Sequence, residues 1–89
     1  MTLVDYLKNA GAVLLDDIGG MPSYELVREP VDGNGERLEV YVTFTPKMDG
    51  CWVSYVYGYV KFKHRFYNTA GKRTWDAIKN TAHWKGFEL

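Results

Sequence analysis

The chain has one cysteine, three prolines, no net charge and no long apolar run. Each shortage excludes something. A lone Cys51 forbids an internal disulfide and a cysteine-based zinc site, which points to a reducing, cytoplasmic setting. No apolar stretch reaches the roughly 18 residues of a membrane span, and no basic stretch with a signal-type apolar core follows Met1. Membrane partners are therefore not expected. A glycine-rich phosphate loop at a strand-to-helix junction is also missing, since Gly33 and Gly35 fall in a turn sequence. Only two histidines are present, without helical i, i+4 spacing, so no metal site is expected. Asp16 and Asp17 are adjacent, so their side chains diverge; we read them as solvated rather than as an acid–base pair. Cys51 has no local activating group, and His64 and His83 have no nearby carboxylate partner in sequence. These absences argue against an enzyme and against any cofactor.

Several features are present in excess. Aromatic residues make up 16% of the chain, and 89 residues give too small a body to bury all of them. The zero net charge conceals a division. Residues 1–45 hold three basic and eight acidic side chains, and residues 46–89 hold eight basic and three acidic ones. The halves therefore carry −5 and +5. That polarity either pairs internally across a sheet or presents a basic face to an anionic partner.

The patterning predicts one small α+β domain over 1–89. Thr2 is placed as a helix N-cap, with Asp5 in the favourable first turn and Leu3, Leu7 and Ala10 on one face. Gly11 ends this helix in the preferred reading, with Val13–Leu15 as a short strand; the rival reading carries the helix through Leu14 and Ile18 to Gly19-Gly20. Tyr24–Glu29 alternates and stops at Pro30. Asp32-Gly33-Asn34-Gly35 is the strongest turn signal. Arg37–Thr45 alternates cleanly, with Leu38, Val40, Val42 and Phe44 on one face. Cys51–Tyr67 alternates for seventeen residues. Straight, it would span about 56 Å at roughly 3.3 Å per residue, too long for such a domain, so a bend or break is expected at Gly58. Trp75, Ile78 and Ala82 mark a final helix that begins near Gly71 and closes at Gly86. The expected architecture is a three- to four-stranded antiparallel sheet with a helix at each end of the chain. Its expected core is Leu38, Val40, Val42, Phe44, Val60, Phe62, Trp75 and Ile78.

The facing of the long strand carries the functional expectation. Beyond Gly58, simple alternation turns Val60, Phe62, His64 and Phe66 inward and Tyr59, Lys61, Lys63, Arg65 and Tyr67 outward. Tyr55 and Tyr57 continue the outward row, while the facing of Trp52 against Val53 stays open. Aromatics on a sheet face stack bases, and interleaved cations neutralise phosphates. The expected binding residues are thus Tyr57, Tyr59, Lys61, Lys63 and Arg65, with Lys72 and Arg73 at the helix entrance as flanking phosphate contacts. The first expectation is a nucleic-acid-binding module, for RNA or DNA. The alternative is a small protein-binding inhibitor or regulator, of the phage or mobile-element type, acting on a protein of nucleic-acid metabolism or host defence. A monomer or a symmetric dimer is allowed. The dimer is favoured by the complementary halves and the surplus aromatics.

The order helix–three strands–helix resembles the double-stranded-RNA-binding domain. Pro22-Ser23-Tyr24, followed by Glu25-Leu26-Val27, is similar to the opening of that family's first strand. Lys72-Arg73 stands where the family places phosphate-binding lysines, and the resemblance implies RNA as partner. The chain departs from the pattern at Trp75 and Asp76, where the family has small and basic residues, and in the length of its last strand.

Overall fold

The computed structural model describes residues 1–18 and 20–89, with side chains throughout except at 16–18. The expectations for the Asp16–Asp17 side chains and for Gly19 lie outside the described residues.

Helix α1 (Leu3–Asn9) starts at a complete capping box. The Thr2 hydroxyl accepts from the Asp5 amide, and the Asp5 carboxylate accepts from the Thr2 amide at 2.9 Å. The hydrogen bonds from Thr2 hold the Asp5 carboxyl below its ordinary range. Its stabilising share is thus complete above the unfolded-state value and is lost as the pH falls through the folded one. Gly11, at φ +95°, ends the helix as the shorter reading requires. Thr2→Ala removes the cap and should cost about 1 kcal/mol. A thermal midpoint unchanged by that substitution would mean α1 does not depend on its cap.

Five strands follow: β1 (Val13–Ile18), β2 (Met21–Arg28), β3 (Leu38–Phe44), β4 (Cys51–Tyr57) and β5 (Val60–Tyr67). Helix α2 (Lys72–Trp84) closes the chain. The strands form one antiparallel sheet in the order β1-β2-β3-β4-β5, a meander with β1 and β5 at its edges. The sheet thus has five strands where three to four were expected. The short strand at Val13–Leu15 runs on to Ile18, and the seventeen-residue segment is a hairpin rather than one bent strand.

That hairpin turns on Gly58 and Tyr59, at φ +57° and +70°. Two successive positive φ values match the right-handed twist of the flanking strands. Gly58 adopts this freely, and a Cβ there would meet the Glu36 side chain at 2.6 Å. Tyr59 has no such freedom and reaches this region at a cost of about 1–2 kcal/mol.

One face of the sheet is the core. Tyr24, Leu26, Leu38, Val40, Val42, Phe44, Cys51, Val53 and Tyr55 are buried there with Leu3 and Leu7 of α1 and Trp75, Ile78 and Ala82 of α2. Tyr6 stacks on Trp75 with ring centroids 5.9 Å apart, joining the two helices. The α1 start is tied to the loop before α2 by the Leu3 amide, which donates to the Ala70 carbonyl at 3.0 Å. Of the expected core, Val60 is a correction: it is 65% exposed on the edge strand. Phe62 packs only partly against the core.

Candidate nucleic-acid interface on the open sheet face

Antiparallel partners share a face, so the register sorts every strand residue. A break in register between β4 and β5 then decides the site. Tyr55 pairs with Lys63, but Val56 pairs with Lys61, which leaves Phe62 as one extra residue. Beyond Phe62 this bulge reverses the facing that straight alternation gives, while Lys61 stays on the open side. Lys63, Arg65 and Tyr67 share the helix side with Tyr55, Val53 and Cys51. Lys61, His64 and Phe66 share the open side with Val56, Ser54 and Trp52.

The expected tyrosine-and-cation row is therefore not one surface. Tyr55 is buried, and Tyr57 faces the helices, with its ring edge-on to Phe87 at 6.1 Å. The Lys85 ammonium lies 5.2 Å from the Tyr57 ring centre and 4.5 Å from that of Phe62. Tyr59 stands exposed in the turn. Arg65 lies over the Tyr67 ring at 5.4 Å. Lys72 is held by Asp76 at 2.9 Å, and Arg73 is exposed beside it.

The open face is ordered in rows across the strands. Leu15, Ser23, Thr43, Trp52 and Phe66 form an uncharged row. Val13, Glu25, Tyr41, Ser54 and His64 form the next. Val27, Glu39, Val56 and Lys61 form the third. The rings of Trp52 and Phe66 sit 5.1 Å apart, tilted by 55°, and are 36% and 47% exposed. His64 Nδ1 and the Ser54 hydroxyl are 2.6 Å apart, which orients the imidazole on this face.

Electrostatics divide the face. On the β2–β3 half, Glu39 bonds to the Tyr41 hydroxyl and to Arg37 Nε at 3.1 Å. The Tyr41 bond is the main reason its carboxyl stays below the ordinary range. The same bond pushes the Tyr41 phenol well above its own. Glu25 and Glu39 thus make this half unsuited to phosphate. The β5–α2 side is the reverse. Residues 60–85 carry Lys61, Lys63, Arg65, Lys72, Arg73, Lys79 and Lys85 against the single carboxylate of Asp76. Asp76 is already engaged by Lys72 and Lys79. Among the described residues, Lys61, Lys63, Arg65 and Arg73 have no salt-bridge partner.

The chain matches no known family model, no curated protein and no solved structure. Its element order has two strands more than the order that resembles the double-stranded-RNA-binding domain. Among the described residues no cluster of three or more metal-binding side chains occurs. Among the described residues no helix is long and apolar enough to cross a membrane. The Cys51 thiol is buried, and burial pushes its pKa up to about 11, the opposite of an activated nucleophile.

Trp52, Phe66 and His64 are the open-face residues that the sequence did not bring together. Trp52 had no settled facing, and Phe66 and His64 were placed inward by a rule that holds only without the bulge.

Proposed function

We propose that the protein is a non-enzymatic module that binds single-stranded nucleic acid across the β4–β5 half of its open sheet face. The observation that carries this reading is the exposed Trp52–Phe66 pair, uncovered by either helix and adjoining an edge strand of unpaired cations. Unstacked bases lie on aromatic rings of this kind, and a single strand supplies such bases where a duplex does not. Long side chains on both faces of an edge strand flank its solvent side. Lys61 and His64 then approach a phosphate chain from the open face, and Lys63 and Arg65 from the helix side. Arg73 extends the track at the start of α2, and the carboxylates of Glu25 and Glu39 keep it off the β2–β3 half.

The test is a fluorescence titration with single-stranded and duplex DNA and RNA at low salt. Wild type should prefer single strands. Trp52→Ala and Phe66→Ala should each weaken binding by about 1–3 kcal/mol, the worth of one stacked base. No binding to any nucleic acid would end this reading. Capture of a protein by the same Trp52–Phe66 patch, indifferent to salt, would replace it with the inhibitor or regulator.

A further inference from the structure

The two edges of the sheet are unlike. β5 carries Lys61, Lys63 and Arg65, charges that guard an edge against another strand. The first half of β1 is Val13-Leu14-Leu15, with no charge and no proline. These residues pair regularly with β2, and the register shifts only beyond Leu15. Val13, on the open face, is 61% exposed, and Leu14, on the helix face, is 56% exposed. The free side of the Val13–Leu15 half of β1 is thus a regular, uncharged stretch of edge with apolar side chains showing on both faces, the kind that accepts another strand.

We infer that β1 pairs with β1 of a second copy, antiparallel about a two-fold axis at Leu14. This register is self-complementary. Leu14 meets its own counterpart, and Val13 meets the second copy's Leu15 on the open face, where both already lie. The other edge pairings fail on chemistry or symmetry. β5 against β5 sets cation against cation. β1 against β5 sets Val and Leu beside Lys and Arg, and its head-to-tail geometry does not close. The inferred pairing gives one continuous sheet, ten strands wide from two five-stranded copies. Its axis is normal to the sheet, so both open faces lie on the same side and both basic edges remain free at the ends.

Sedimentation equilibrium from micromolar to millimolar protein should give twice the 10.2 kDa of one chain. Leu14→Lys, which places two ammonium groups at the axis, should leave a folded monomer by circular dichroism. Leu14→Cys should cross-link into a covalent dimer under mild oxidation, because directly opposed strand residues lie within disulfide range. Val13→Cys should not, since its counterpart is displaced along the strand. The native Cys51 is fully buried and does not compete. A wild-type monomer at all concentrations overturns the inference. Equal cross-linking at positions 13 and 14 overturns the register. Dimers that survive Leu14→Lys but dissociate with Trp52→Ala/Phe66→Ala would place the interface on the open face instead. Should Leu14→Lys unfold, the cysteine pair alone decides.

Discussion

Trp75→Ala should leave little folded protein at room temperature in modest urea. The indole is 6% exposed, and it stacks on Tyr6 at an interplanar angle of 11°. That stack is the aromatic contact between the two helices, so truncation opens a cavity where α1, α2 and the sheet meet. Buried Trp-to-Ala substitutions cost about 3–5 kcal/mol. A domain of this size is stable by about 4–13 kcal/mol in total. The loss is therefore about a quarter or more of the whole, and near all of it at the lower end. A urea titration should show the midpoint fall steeply. Trp84→Ala is the control: Trp84 is exposed at the far end of α2, and its loss should stay within about 0.5 kcal/mol. If the two variants unfold at the same midpoint, α2 is not packed through Trp75.

The elements that were legible in the sequence share one property: local chemistry and hydrophobic period agree. β3 alternates apolar and polar-edged side chains, and Leu38, Val40, Val42 and Phe44 are all buried as expected, with Glu39 buried on the other face as well. α1 has its cap, its acidic first turn and its closing glycine, and α2 shows the Trp75–Ile78–Ala82 stripe that the structure buries. The β4–β5 hairpin was legible only as a required break at Gly58. Its second turn residue is Tyr59, a residue with no preference for positive φ, so the turn leaves no Asn-Gly or Asp-Gly signature. A tyrosine there reads as one more strand residue.

The Phe62 bulge was the larger loss. One unpaired residue inverts a strand, and nothing in the composition of Val60–Tyr67 marks where the extra residue sits. Alternating Lys and aromatic residues satisfy either phase equally well. Burial settles it, because Tyr55 needs a neighbour over its ring on the core side. Phe62 supplies one at a centroid distance of 5.8 Å by stepping out of register. The expected basic residues lie along an edge, whereas the exposed aromatic pair on the open face is Trp52 and Phe66 rather than a tyrosine row.

Lys63→Glu/Arg65→Glu should abolish nucleic-acid binding while leaving the fold intact. Both side chains lie on the edge strand without a carboxylate partner, so reversal breaks no ion pair among the described residues. Arg65 loses only its position over the Tyr67 ring, an exposed cation–π contact of about 0.5–1 kcal/mol. The effect on binding is far larger, because each cation that meets a phosphate releases a condensed counterion. For single strands the slope of log affinity against log salt is about −0.7 per phosphate contact. Removing two contacts should therefore flatten that slope by about 1.4, beyond the direct repulsion that the new carboxylates add. Trp52→Ala/Phe66→Ala should do the converse, lowering affinity at every salt concentration with the slope unchanged. These two signatures separate the electrostatic track from the stacking pair. If charge reversal weakens binding but the slope stays as in wild type, Lys63 and Arg65 do not touch phosphate. The path would then run over the open face through Lys61 and His64 alone.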